Sequence, residues 1–548
     1  MSEITGEKIT LKRIFSDEYF FNIPEYQRPY SWQKDNNDQL FDDIYESDRE
    51  NEYFLGTIIL QEVKEVGTGI MYDVIDGQQR LTTIQILLAC LRDNVENADY
   101  RNSLQQKIYQ KANPVDGLPE VVRLKVREED FFKKYIQEIG GTRKINLFEP
   151  QNDAQRNFKN AVLLFDEKLG NIEQEDIESL IQHISQRCIF ICVSTKNFND
   201  AYRLFTIIND RGLQLRRIDI LKSNNLDPEV MPDSHERKTY SNKWESMEND
   251  LGSDDFENLI SFIRTIEIKE KPKEDLLKEF NNLIFGKGKL NKGKEFIDYI
   301  LQYKNIYQKL IFDKDLNLGQ NTVAFNNLLN IMVDFLPSNE WIPSLLYYYK
   351  RFSIYGLYEF LLKLEKKFVA DWVIALTPAK RTVNLNSILK SIEEAGSYYD
   401  VLNSNALIFD KKSLVYELEQ DTYGKRHARY ILLKLEYLES EQNVERKYGT
   451  ISVEHVLPQS PSQDSKWIQI FNDEDRAKYT NKLANLILLS HKKNSSASNY
   501  DFVDKKEKYL KGRMTDLARS QKILSYNEWT PIILKNRQKS ILDLLIED

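Results

Sequence analysis

The stretch ISVEHVLPQS (451–460), followed after a spacer by NKLANLILLSHKKNSSASN (481–499), decides the fold of the C-terminal part of the chain. Glu454 and His455 lie at the end of a short apolar run that Pro458 stops. Asn485 lies in a second apolar run, which is typical of a strand, and Asn494 opens a polar segment before a Lys-rich helix. The pattern therefore predicts strand, loop, strand and helix, with a His at the first turn and Asn residues further along.

These side chains suit the metal-assisted hydrolysis of a phosphodiester. Glu454 and the amide oxygen of Asn494 offer oxygen ligands to one hard cation, which would polarise the scissile phosphate. On a strand His455 points away from Glu454, so its imidazole can deprotonate a water molecule on the far side of the phosphate. Imidazole titrates near working pH, as a general base requires. We expect Asn485 to orient the imidazole or its loop.

The runs VEHVLPQ (453–459) and NLILLSHKKN (485–494) resemble an HNH nuclease of the ββα-metal type. They resemble in particular the C-terminal half of the GmrSD type IV restriction enzymes, whose pattern is Glu-His-Ile-Leu-Pro-Gln, Gly-Asn-Leu, then Asn. The resemblance implies a catalytic set of His455, Asn485 and Asn494, with His455 as the general base and Asn485 as the middle member of the motif. It also implies that Glu454 and Asn494 are the ligands of Mg²⁺ or Mn²⁺. This chain departs from the pattern at Ala484, where the family often has Gly, and His491 is an alternative ligand to Asn494.

A second informative stretch is MYDVIDGQQRLTT (71–83), in which a strand feeds a helix through a tight turn at Asp76 and Gly77. Backbone N–H groups at the start of a helix attract anions, and glycine permits a close approach of the backbone. Arg80 can form a bidentate fork to a phosphate. An Asp-Gly pair is also a common hairpin turn, so the residues by themselves leave both interpretations open.

The runs IPEYQRPYSW (23–32), YFLGTIIL (53–60) and VIDGQQRLTT (74–83) resemble the N-terminal domain of GmrS-type proteins, whose core is ParB-like. The segment FTIINDRG (205–212) matches the same pattern. The resemblance implies a site that binds and hydrolyses GTP, UTP or ATP with Gln27, Arg28, Asp76, Gly77, Gln78, Gln79, Arg80, Asn209 and Arg211. The alternative is that the arginines only pair with buried carboxylates. No P-loop pattern occurs in the chain.

Length and charge limit the remaining interpretations. A chain of 548 residues is too long for one core. The net charge of −9 gives no overall nucleic-acid footprint, so DNA contact needs local patches, and we expect it from Lys492, Lys493, Lys505 and Lys506. The three cysteines lie in apolar runs without zinc spacing. A charged N-terminus and the lack of a membrane-length apolar run favour a cytoplasmic protein that does not contact membranes.

We therefore expect a multidomain α+β protein. A ParB-like α/β domain spans residues 1–225 and carries a helical insertion at 95–185. A largely helical region spans 226–440, and a ββα-metal nuclease domain spans 441–548. Apolar residues at helical spacing in the middle of the chain support the second part.

The expected function is a nucleotide-regulated, metal-dependent DNA endonuclease with NTPase activity. The resemblance implies type IV restriction, which is antiviral defence by cleavage of modified foreign double-stranded DNA. The alternative is a ParB-like, NTP-gated DNA-binding regulator with an inactive HNH domain. An RNA nuclease is a third option, because such a site reads a phosphate rather than a sequence. The sequence leaves open whether the protein is a homodimer.

Overall fold

A computed structural model describes residues 4–110, 112, 115, 120–197, 200–201, 204, 216–490, 499–507 and 517–547. The chain forms two compact units. The first comprises Met1–Glu245 with Lys292–Lys294, and the second comprises Ser246–Asn291 with Glu295–Asp548. Compactness does not define functional boundaries, so the expected division into three parts stays a prediction.

A mixed sheet forms the centre of the first unit. In the described residues it has six strands: β1 (Thr5–Thr10), β2 (Tyr19–Asn22), β3 (Tyr53–Val66), β4 (Gly69–Asp76), β7 (Leu124–Lys125) and β8 (Cys188–Thr195). Their order across the sheet is β1-β8-β3-β4-β2-β7. A separate ribbon pairs β5 (Tyr109–Gln110) with β6 (Val121–Val122). β3 is antiparallel to β4 and parallel to β8, so the sheet mixes both pairings.

Helices pack on this sheet through apolar faces. The helix Gln78–Asn94 is buried on almost all sides, which agrees with apolar residues that are spread around the helix rather than confined to one stripe. The other α-helices described in residues 1–225 are Leu11–Ile14, Lys34–Glu46, Ala98–Ile108, Glu129–Phe132, Asp153–Leu169, Gln174–Gln186 and Arg217–Asn225. A π-helix at Lys133–Gln137 and a 3₁₀ helix at Thr142–Leu147 lie between them. The segment 95–185, expected as a helical insertion, also supplies β7, which pairs with β2 in the main sheet.

The rest of the chain is mostly helical, as its periodicity predicts. Its longer described helices are Ser234–Leu251, Ser253–Ile268, Lys294–Tyr307, Thr322–Phe335, Ile342–Phe352, Leu357–Val373, Pro378–Glu394, Lys411–Leu418, Ala428–Glu439 and Pro531–Ile546. Shorter ones are Leu276–Glu279, Tyr398–Leu402, Lys466–Ile470, Asp473–Tyr479, Phe502–Lys505 and Ala518–Gln521. β9 (Ile451–His455) and β10 (Leu486–Ser490) pair antiparallel in the second unit. The multidomain α+β fold is confirmed.

Among the helices of the described residues, none has both the length and the apolar character needed to cross a membrane.

Candidate functional site

Strands β9 and β10 place the C-terminal motif residues side by side. His455 pairs with Leu486 and Glu454 pairs with Ile487 across the ladder. The N–H of Val456 donates to the carbonyl of Asn485 at 2.9 Å, which continues the pairing by one step beyond the strand. Since successive side chains of a strand alternate between its faces, the pairing directs Glu454 and His455 to opposite sides.

Asn485 holds the loop that follows His455. Its side chain is completely buried. Oδ1 accepts the backbone N–H of Leu457 at 2.7 Å and the indole N–H of Trp529 at 3.1 Å. Nδ2 donates to the carbonyls of Leu457 and Thr480 at 2.9 and 2.8 Å. Of the two roles that the sequence left open, these contacts select the loop over the imidazole.

The imidazole of His455 is oriented by Asn481, which sequence reasoning missed. Nε2 lies 3.2 Å from Oδ1 of Asn481. An amide oxygen can only accept, so Nε2 carries the hydrogen and Nδ1 is the nitrogen with the lone pair. The carbonyl of Asn481 also accepts the N–H of Tyr423, whose ring centroid lies 4.1 Å from that of the imidazole. The available signal was a second Asn four residues before Asn485.

The surroundings of His455 favour a neutral imidazole. The residue is only 7 % exposed. Burial lowers its pKa, the hydrogen bond with Asn481 acts in the opposite direction, and the charge of Lys505 lowers the pKa further. A neutral imidazole can accept a proton, which a general base must do.

Glu454 lies against a buried lysine. Nζ of Lys505 is 3.1 Å from Oε1 of Glu454 and also donates to the carbonyl of His455. The side chain of Lys505 is 0 % exposed and that of Glu454 is 13 % exposed. Burial raises the pKa of Glu454 and lowers the pKa of Lys505, while the attraction between the two groups opposes both shifts.

This burial corrects one prediction about DNA binding. A fully buried ammonium cannot contact DNA from the surface, so Lys505 is not the DNA-facing side chain that the sequence predicted. Lys506 is half-buried and its Nζ donates to the carbonyl of Tyr526 at 2.8 Å. Its contact with DNA stays a prediction.

Several predicted residues lie outside the described residues: His491, Lys492, Lys493, Asn494, Asn209 and Arg211. Within the described ranges, no three His, Cys, Asp or Glu side chains are grouped closely enough to hold a metal ion. The described ligand candidate is Glu454, and the ammonium of Lys505 lies beside its carboxylate. The ammonium therefore takes the place beside the carboxylate that the predicted cation would need, and the role of Glu454 as a metal ligand stays a prediction.

The N-terminal motif forms the predicted turn. Gly77 has a left-handed backbone (φ 89°) between β4 and the helix Gln78–Asn94. A Cβ on Gly77 would lie 2.5 Å from Cγ2 of Ile58, so both the conformation and the space require glycine. Burial raises the pKa of the Asp76 carboxyl, against the hydrogen bond from Gly77 and the charge of Arg80.

Most polar side chains of this motif bind nearby backbone. Gln27 is buried and its Nε2 donates to the carbonyl of Ile75 at 3.0 Å. Gln79 accepts the N–H of Ser31 at 2.9 Å and donates to the carbonyl of Pro29 at 3.2 Å. These contacts tie the YQR segment to the DGQQR turn. Both glutamines therefore position the two motifs against each other.

The two arginines of the motif differ in their surroundings. Nη1 of Arg80 donates to the carbonyl of Leu55 at 2.9 Å, and a Cβ on Gly56 would collide with its guanidinium. Arg28 pairs with Asp219 at 2.6 Å, yet its side chain is 45 % exposed. The pairing that the sequence offered as the alternative therefore exists for Arg28. The exposure leaves part of its guanidinium open to a ligand.

A cavity of about 650 Å³ lies in the same unit, within the usual volume of a ligand pocket. Asn22, Asp73, Arg127, Glu128 and Arg237 are among its lining residues. A smaller pocket beside it is lined by Arg28, Gln78 and Gln79 and shares Arg127 and Glu128 with the large one. Arg28, Gln78 and Gln79 therefore line the smaller pocket, and the larger cavity adjoins it through Arg127 and Glu128.

The second unit therefore carries a histidine site on a hairpin, and the first unit carries the DGQQR turn. Residues 11–226 match the family described as GmrSD restriction endonuclease, N-terminal domain, and residues 409–544 match the C-terminal domain of the same family. Together the matches cover well over half of the chain. The chain belongs to the GmrSD restriction endonucleases, which are type IV enzymes. Comparison with curated proteins gave no match.

Proposed function

We propose that this endonuclease is metal-dependent, that it is regulated by a nucleoside triphosphate, and that it cleaves modified foreign double-stranded DNA. The observation that carries the catalytic part is the position of the His455 imidazole on strand β9, where Nε2 lies 3.2 Å from Oδ1 of Asn481 and burial favours the neutral form. The membership of the family supports DNA as the substrate.

Each residue of the hairpin has a defined task in this proposal. His455 takes the proton from the attacking water through Nδ1, and Asn481 keeps Nε2 protonated. Asn485 fixes the loop after His455, so the imidazole keeps its place during the reaction. Glu454, with Asn494 or His491, would hold Mg²⁺ or Mn²⁺, which would polarise the phosphate and stabilise the leaving oxygen.

In the first unit, the YQR and DGQQR residues would hold the nucleotide. Arg28, Gln78 and Gln79 line one pocket, and the start of the helix Gln78–Asn94 offers backbone N–H groups to phosphates. GTP, UTP and ATP are all candidates. Asn209 and Arg211 complete the proposed set, and a ParB-like core is part of the same proposal.

One observation favours the second candidate function, an NTP-gated DNA-binding regulator with an inactive nuclease site. Lys505 neutralises the carboxylate that a metal ion would need. Under this alternative the chain would bind DNA and nucleotide without cleaving any substrate.

The test is digestion of plain and modified phage genomes with Mg²⁺ or Mn²⁺ and each nucleoside triphosphate in turn. His455→Ala should reduce the cleavage rate by about 10²–10⁴-fold, the range for the loss of a general base. His235→Ala, on an exposed histidine, is the matched control and should cut like the wild type. Wild-type rates in His455→Ala would refute the catalytic assignment. DNA binding without cleavage under every condition would favour the regulator.

A further inference from the structure

Lys505 is a charged side chain buried in the middle of the candidate site. Its ammonium contacts two consecutive residues of strand β9, the carboxylate of Glu454 and the carbonyl of His455. Charged lysines are rarely buried completely, because a buried ammonium loses its hydration and needs a paired charge to compensate for that loss. The pairing with Glu454 supplies the compensating charge.

The surrounding contacts hold this lysine in place. It ends the short helix Phe502–Lys505, whose Phe502 ring stacks on Trp529 with centroids 5.5 Å apart. Ahead of the helix, Oδ1 of Asp501 accepts the N–H of Lys466 at 2.9 Å. Trp529 also donates to Asn485, so one indole supports both Lys505 and the loop after His455. The ammonium is therefore built into the hairpin site.

We propose that Lys505 is an internal counter-ion of Glu454, which has to leave the carboxylate before Glu454 can act as a metal ligand. The inference rests on the proposed metal dependence and concerns the same site. Two cations at one carboxylate repel each other, and the repulsion is strong where water is excluded. Metal binding and the contact between Lys505 and Glu454 therefore compete.

The first test is calorimetric titration with Mn²⁺ of Lys505→Met, which removes the charge and keeps an unbranched side chain of similar length. We expect Mn²⁺ to bind at least tenfold more tightly than to the wild type. Lys506→Met is the matched control, because Lys506 is the next residue along the chain and its Nζ donates to the carbonyl of Tyr526. Glu454→Gln should abolish binding in both backgrounds.

The outcomes separate this inference from the proposed function. Suppose that the wild type binds Mn²⁺ through Glu454. Equal or weaker Mn²⁺ binding by Lys505→Met would then overturn the role of Lys505 and leave the metal site intact. No Mn²⁺ binding by either protein would overturn both. If Lys505→Met binds Mn²⁺ more tightly and the added Glu454→Gln substitution removes this binding, both the inference and the proposed metal site are supported.

A second measurement needs no variant and therefore does not depend on whether Lys505→Met folds. The wild-type protein is treated with an amine-acetylating reagent with and without Mn²⁺, and each lysine is followed by peptide mass spectrometry. We expect Mn²⁺ to raise the labelling rate of Lys505 several-fold. Lys434, which is buried in an ion pair with Glu365 at 2.8 Å, is the control and should stay protected. Unchanged labelling of Lys505 would overturn the inference.

Discussion

The hairpin site and the DGQQR turn use their amide side chains in the same way but treat their charges differently. Asn485 in one and Gln27 and Gln79 in the other bind backbone groups and fix loops. In the hairpin, the Lys505–Glu454 pair is buried, whereas Arg28, in the segment 23–32 that contacts the turn, is 45 % exposed. An exposed ion pair contributes little to stability, while a buried one is costly to break. We infer that the hairpin is the more rigid site and the turn the more accessible one.

The largest stability effect should come from the amide of the hairpin. Asn485→Ala leaves the N–H and carbonyl of Leu457, the carbonyl of Thr480 and the indole of Trp529 without this partner. Each unsatisfied buried group costs about 1–3 kcal/mol, so we expect a loss of about 3 kcal/mol or more in the free energy of unfolding. Urea unfolding measures it.

The control is Asn403→Ala, on an exposed asparagine with one local bond to the carbonyl of Tyr399. It should change the free energy of unfolding by less than about 0.5 kcal/mol. A similar, small effect in both variants would mean that Asn485 does not hold the loop, and the contrast in rigidity would lose its basis.

An effect of intermediate size on the free energy of unfolding should come from Asp73 in the first unit, and it should depend on pH. Burial raises the pKa of Asp73 to about 6, although the hydrogen bond from Asn22 works in the opposite direction. A carboxyl with a raised pKa stabilises the fold below its ordinary pKa, and this contribution is lost as the pH rises through about 6.

Asp73→Asn removes this titration. Relative to the wild type, the variant should therefore gain up to about 3 kcal/mol in unfolding free energy between pH 4 and pH 8. Urea unfolding at both pH values measures the change. Parallel pH profiles for the two proteins would show that the Asp73 carboxyl is not desolvated in the folded state.

The smallest stability effect should accompany a functional loss at the turn. Arg28→Ala breaks a partly exposed ion pair with Asp219, so the free energy of unfolding should fall by about 1 kcal/mol or less. Phosphate release from a nucleoside triphosphate should nevertheless be lost. Asp219→Asn breaks the same pair and keeps the arginine, so it should retain turnover. Unchanged phosphate release in Arg28→Ala would remove Arg28 from the proposed nucleotide site.

The local sequence predicted those features that depend on neighbours in the chain. The short apolar run and its stop at Pro458 indicated β9, and the apolar run that contains Asn485 indicated β10. The Asp-Gly pair indicated the turn before the helix Gln78–Asn94, since glycine readily takes the left-handed backbone found at Gly77. The order of these elements is a property of the sequence by itself.

Tertiary structure decided the partners and the charges. The sequence predicted Lys505 as a DNA contact, but folding places its ammonium against Glu454, 51 positions earlier in the chain. Asn481 became the partner of the imidazole and Asn485 that of the loop, although both are asparagines in one short segment. The physical reason is that periodicity reports which face of an element is apolar, whereas the depth of a charge and its counter-charge depend on residues distant in sequence.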